Sequence, residues 1–231
     1  RCISGSFNMA GGTVSMQGFF DLRIGGALLQ TGGHFALSQG SVTLTGLGAR
    51  TLQAAPGSRF NHLVVSGAQN LSVPTDLLLD GNLTVASGST VTFPSATVFT
   101  SSGFVTAFGG ISFAASHRTL LSATTYQTFN APSVGILQVV NATGAALASG
   151  LSLSVLGDLL IDSGGLLNAP GNVVSVSGDW VNSGVFNPTG GRVDFVHPTA
   201  TQQVRLGGHQ FLSLRVDKAS STLRFSTGTL I

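Results

Sequence analysis

The side chains able to move a proton or hold a metal in this chain are few. The sequence has eight carboxylates, all aspartates: Asp21, Asp76, Asp80, Asp158, Asp162, Asp179, Asp194 and Asp217. Glycosidic cleavage needs two carboxyl groups about 5–9.5 Å apart. Asp76/Asp80 and Asp158/Asp162 are the closest pairs. Their i,i+4 spacing in a strand puts each pair on one face but about 13 Å apart, too far unless a turn folds between them. The five histidines (His34, His62, His117, His197 and His209) lack ligand spacing such as H-x₃-H. His62 falls on an expected strand and the others near turns. No G-G-x-G-x-D calcium repeat occurs. The residues therefore point to no catalytic, cofactor-binding or metal-binding set and to no bound cofactor. The aspartates read as turn and strand-edge residues.

Nor does the rest of the composition favour surface chemistry. Glu is missing, Lys218 is the single lysine, and charged residues make up 8% of 231 positions. Exposed helices use Glu, Lys, Gln and Arg on their wet faces, so this chain is not building them. Its polar positions carry Ser, Thr, Asn and Gly, as exposed strands and tight turns do. A 42% hydrophobic content exceeds what disordered chains have. No charge lies between Arg118 and Asp158, yet that stretch is broken by "NAPS", "NATG" and "ASG" and holds no run of about 20 apolar residues for a spanning helix. One Trp and one Tyr are too few for the aromatic girdles of a membrane barrel. Arg192, Arg205, Arg215, Lys218 and Arg224 give a mild basic bias near the end, but Asp194 and Asp217 interrupt it, and no basic groove with interleaved aromatics suggests nucleic acid. Cys2 has no partner for an internal disulfide. Asn70, Asn82 and Asn141 fit the N-x-[ST] pattern, which so Asn-, Ser- and Thr-rich a chain meets by accident. No signal peptide precedes Arg1, so the chain is expected to be a processed product or an excerpt.

The elements holding these residues repeat. "FNHLVVSGA" from Phe60, "VGILQVVNA" from Val134 and "FLSLRVDKA" from Phe211 all fit [F/V]-x-x-L-x-V-x-x-A. "LDGNLTVASGSTV" from Leu79 matches "VLGDLLIDSGGLL" from Val155. Segments such as "NLTVAS", "TVTF", "VVSVSG" and "LSLRV" alternate apolar and polar residues, the period of a strand with one buried face. Gly- and Pro-containing turns separate them at intervals of roughly ten residues. A unit of about 75 residues is too small for an immunoglobulin-like sandwich and too long for a propeller blade. The expected fold is all-β: a right-handed parallel β-solenoid, one domain over 1–231, in three imperfect repeats over 1–79, 80–155 and 156–231, with coils of about 20–25 residues. The nine-residue motif is expected to be one strand whose copies stack. Its ladder comprises Phe60, Leu63, Val65, Val134, Leu137, Val139, Phe211, Leu214 and Val216, all buried.

The last third resembles a known family. From Gly178 to Phe225 the chain is similar to the Gly/Asn/Thr-rich repeats of large bacterial cell-surface and secreted adhesin-like proteins. Those run roughly G-x-W-x-N-x-G-x-F, a Gly-rich turn, V-x-F, Q-x-[I/V], then F-x-x-L-x-[I/V]-x-x-A. The matching positions are Gly178, Trp180, Asn182, Gly184, Phe186, Val193, Phe195, Gln202 to Val204, Phe211, Leu214, Val216 and Ala219. The earlier units depart from the pattern, with Leu28 in place of Trp and "GFVTAF" from Gly103 lacking Asn-x-Gly. The resemblance implies a non-enzymatic structural module of an extracellular fibre, stalk or surface adhesin, located outside the cell. The alternative is a carbohydrate-binding or carbohydrate-cleaving β-helix of the cell envelope. A face that orders water as ice-binding solenoids do would need Thr at one position coil after coil, and Thr43, Thr84, Thr92 and Thr106 keep no register between the 75-residue units. The tail "STLRFSTGTLI" leads almost in phase into the start "RCISGSF". Each end is therefore expected to be covered by another copy, in a homopolymer or a longer array. Surface glycans are a further expected partner; nucleic acid and membrane spanning are not expected.

Overall fold

The computed structural model describes residues 1–16, 18–94 and 96–226. Among these there is no helix, and every strand pairing is parallel. The chain divides into two compact units, 1–117 and 118–231. Each is a β-solenoid of three parallel sheets wound coil upon coil.

In the first unit, one face stacks Cys2–Ile3, Asp21–Ile24, Ser41–Leu44, His62–Val65, Leu83–Val85 and Val105–Ala107. Leu22, Val42, Leu63, Leu83 and Val105 stand one above another, so a coil takes 20–22 residues. The period-2 alternation sends these inward, where they are buried, while Thr43, Val64 and Thr84 between them face out. Phe35 lies tilted to Phe7 at 5.6 Å and stacks on Phe60 at 5.3 Å, and Phe93 stacks on Phe99 and Phe113 at 5.4 and 4.8 Å. One strand of this length cannot bury its apolar edge alone; the neighbouring coils cover it.

The second unit has the same plan. One face holds Gln127–Asn130, Ala145–Leu147, Leu166–Asn168 and Val185–Asn187. The next holds Arg118–Leu121, Ile136–Val139, Leu159–Ile161, Trp180–Asn182, Gln202–Arg205 and Leu223–Phe225. The third holds Ser133–Val134, Ser152–Val155, Val173–Val176, Arg192–Phe195 and Leu214–Val216. The all-β parallel solenoid expected from the sequence is what the structure shows.

The recurring motif differs from its expected form in two ways. It is a corner rather than a strand. Phe60 ends Arg59–Phe60 in one sheet, Asn61 turns, and Leu63 and Val65 enter another sheet in His62–Val65. Val134, Gly135 and Ile136–Val139 repeat this turn. One corner residue suffices because the first apolar residue and the Leu-x-Val pair then all face the interior. Nor do the copies stack on each other. Within the second unit, Leu137 lies in the six-stranded face and Leu214 in the five-stranded face. Three coils from Leu137 end at Val204 and four at Phe225. Leu214 falls between them, because 77 residues is not a whole number of coils.

The burial expectation holds for six of the nine ladder residues. Phe60, Leu63, Val65, Val134, Leu137 and Val139 are fully buried. Phe211 is half-buried, and Leu214 and Val216 are 40% and 51% exposed. Their register opposite the buried Val193 and Phe195 is the inward one. The exposure arises because Leu214–Val216 is the outermost strand of its sheet and no described strand covers its far side.

Candidate functional site

Each aspartate has a structural partner. Asp76 precedes Leu77–Leu79, and its Oδ1 accepts the Val98 N–H from the next coil at 2.9 Å. Asp80 follows that strand and pairs with Arg59 at 2.5 Å. Asp158 and Asp162 bracket Leu159–Ile161 likewise: Asp158 accepts the Asp179 N–H at 2.7 Å and Asp162 accepts from Gln138 Nε2 at 2.7 Å. Sequence alignment of the 75-residue units separates these two pairs, yet the coil gives them the same job. Asp179 accepts the Gln203 N–H at 2.8 Å, and Asp217 binds Arg215 at 2.5 Å. Asp194, only 4% exposed, is held by Arg192 Nε at 2.6 Å and Nη2 at 3.0 Å. Asp21 accepts from Arg23 at 2.6 Å, Thr43 at 2.7 Å and Ser41 at 3.2 Å. Burial pushes its carboxyl up, but the bonds from Thr43, Arg23 and Ser41 and the charge of Arg23 outweigh burial and hold it below the ordinary carboxylate value.

A corner ladder accounts for several of these contacts. His62 Nδ1 accepts the Asn82 N–H at 2.9 Å, and Asn82 Oδ1 accepts the Phe104 N–H at 2.9 Å. Asp158 and Asp179 repeat the arrangement in the second unit. His62, Asn82 and Asp158 each reach over the glycine before the donor. At Gly81 a Cβ would stand 2.6 Å from His62 Nδ1, and at Gly103 it would stand 2.5 Å from Asn82 Oδ1. Glycine is required there by the close approach of the coil below.

The histidines do not converge. His34 begins the strand His34–Leu37 directly after the bend at Gly32 and Gly33, near a turn as expected, with Thr13 as its register partner. His117 is buried against Phe93 and Phe113 with ring centroids at 4.7 and 5.1 Å. His197 Nδ1 accepts the Ala200 N–H at 2.9 Å. Among the described residues no group of three His, Cys, Asp or Glu could hold a metal ion. Cys2 is exposed.

Two surface concavities are lined in part by these aspartates. A hollow of about 510 Å³ is lined by Arg1, Thr13, Phe20 and Asp21 among others, but that carboxylate is the one bound by Arg23, Thr43 and Ser41. A groove of about 590 Å³ runs past Ser58, Asp76, Leu78, Val98 and Thr100 with neither an arginine nor an aromatic ring in its lining.

The residues carrying the family-like pattern turn out to be one another's contacts. Trp180 is fully buried, with Phe186 and Phe211 edge-on at 4.8 and 5.0 Å and Phe195 at 6.4 Å. Asn182 Oδ1 accepts the Gly184 N–H at 3.0 Å, and Gln202 Nε2 donates to Val176 O at 3.0 Å and Gly178 O at 2.5 Å. Asn141, one of the N-x-[ST] asparagines, is buried with Nδ2 donating to Thr125 O and Oδ1 accepting from Thr143 and Gly144.

The register of the threonines is corrected in part, while the exclusion of a continuous threonine column stands, because Arg23 and Val64 occupy the same column. Thr43, Thr84 and Thr106 do keep register, in one outward column broken by Val64. They were missed because the 75-residue repeat, not the 20–22-residue coil, served as the ruler. Thr92 stands on another face beside Ser72 and Ser112.

No protein-family model, curated protein or solved structure matches the chain.

Proposed function

We propose that the chain is a non-enzymatic structural module of an extracellular fibre, stalk or surface adhesin, joined end to end to further copies or repeats. The rung Leu214–Val216, which no described strand covers, carries this reading. Its inward side chains line up with buried Val193 and Phe195, so a further coil laid over them would extend the core by the same parallel pairing. A heterologous contact of that kind does not close and generates fibres. The engagement of every aspartate in structural bonds supports a scaffold over a hydrolase. The resemblance of Gly178 to Phe225 to surface-protein repeats supports the location. Residues 227–231 of the tail "STLRFSTGTLI" lie outside the described ones.

Electron microscopy of the purified protein over a range of concentrations tests this. Filaments that disappear on Leu214→Asp with Val216→Asp are expected. Separate particles at every concentration would overturn end-to-end joining of this chain with itself. The second reading, carbohydrate binding, is favoured by one surface of the second unit.

A further inference from the structure

The four strands Gln127–Asn130, Ala145–Leu147, Leu166–Asn168 and Val185–Asn187 present an outer surface unlike the others. Their sequences contain no charged residue, and the first two fall in the charge-free stretch between Arg118 and Asp158. At the leading edge of the sheet the register brings Tyr126, Gly144, Leu166 and Val185 into one column. Tyr126, the chain's single tyrosine, is 54% exposed and Val185 42%. Gly144 is buried although its column faces out. A Cβ there would stand 3.2 Å from Leu166 Cδ2 and 3.1 Å from Asn168 Nδ2, so these neighbours close over the glycine. The result is an apolar ribbon with an aromatic ring at one end.

The next outward column is Thr128, Ala146, Asn168 and Asn187. Ala146 is buried between its larger neighbours. Thr189 Oγ1 donates to Asn187 Oδ1 at 2.8 Å, and Asn187 Nδ2 donates to Asn168 Oδ1 at 3.1 Å. These bonds run in one direction along the column, and their last donor is Asn168 Nδ2, beside the ribbon.

We propose that this face binds a neutral polysaccharide chain. A sugar ring has an apolar C–H side that covers aromatic and aliphatic surface and hydroxyls at its rim that bond to amides. An apolar ribbon alongside an amide column offers both at once. The lack of charge fits an uncharged ligand and disfavours an anionic one, whose carboxylates or sulfates would have no cation here to meet. Successive residues of each column stand about 4.8 Å apart from coil to coil, so a chain ligand lying along the columns would meet one rung after another. This sharpens the carbohydrate reading and is independent of end-to-end joining, so an absence of filaments would leave it standing.

The test measures binding of the whole chain to immobilised β-glucan, chitin and mannan hexasaccharides, with heparin as an anionic comparison, at low and high salt. At least one neutral probe should bind with little salt dependence. Tyr126→Ala should weaken it about tenfold or more, and Asn168→Ala should also weaken it. Phe108→Ala, which removes another exposed aromatic, should leave binding unchanged. The proposal is overturned if no neutral probe binds, if only heparin binds, or if Tyr126→Ala binds as well as the parent. It is equally overturned if Tyr126→Ala splits a dimer, which would make the face a contact between copies.

Discussion

The Nδ1 atom of His62 accepts the backbone N–H of Asn82 at 2.9 Å. The two residues belong to successive coils, and Asn82 passes the arrangement on by accepting the N–H of Phe104 through its own Oδ1. An imidazole nitrogen and an amide oxygen thus do the same work one rung apart.

Removing the His62 ring leaves the Asn82 N–H without its acceptor. Amide exchange at Asn82 should quicken in His62→Ala, while exchange at Phe104, whose acceptor is Asn82 Oδ1, should not. His62→Asn should restore protection at Asn82. Equal behaviour of the two amides in His62→Ala would contradict the role given to Nδ1.

Gly103 sits where a Cβ would strike Asn82 Oδ1 and the Gly81 backbone. Gly103→Ala should therefore destabilise the first unit by about 1–3 kcal/mol, the range for overpacked sites. Gly5 has open space around its Cβ position, and Gly5→Ala should be neutral or slightly stabilising. Urea unfolding of both variants beside the parent measures the contrast.

The motif Leu is worth different amounts in its copies. Leu137→Ala removes a fully buried side chain and should cost about 2–5 kcal/mol. Leu214→Ala removes one already 40% exposed, and should cost less than about 1 kcal/mol unless another copy covers the rung. Comparing unfolding of the two variants at low and high protein concentration separates the intrinsic cost from any cover supplied by assembly.

How far the fold could be read from the sequence follows from these residues. Alternation in segments such as "NLTVAS" and "VVSVSG" identified strands with one buried side, and the self-similarity identified stacking. The corner at Asn61 and Gly135 was not legible, since Phe-x-x-Leu-x-Val reads as one strand until a single-residue turn is placed inside it. The coil length of about 20–25 residues was legible and agrees with the observed register, but comparison by the longer repeat hid the Thr43–Thr84–Thr106 column and the shared position of Asp76 and Asp158. The surface around Tyr126 was signalled only by the missing charges between Arg118 and Asp158. Its ribbon depends on Leu166 closing over Gly144, a contact between coils that no local pattern reports.

Asp21 supplies an acid dependence. Its folded carboxyl titrates below the unfolded value of ~3.9, so folding gains stability from it above that value. The gain is lost as pH falls from there through the lower folded value. Unfolding midpoints followed through the carboxylate range should fall less steeply in Asp21→Asn than in the parent. An unchanged slope would mean that the bonds from Thr43, Arg23 and Ser41 do not favour the ionised form.

That Leu137 and Leu214 occupy different faces bears on how such a chain can lengthen. Copying a segment of whole coils would set each new copy directly above the last and line up its outer residues as a single stripe. Copying one that ends part-way round a coil turns each copy to a fresh side, as leaves are set round a stem. Growth by this increment therefore turns the outer residues of successive copies in more than one direction.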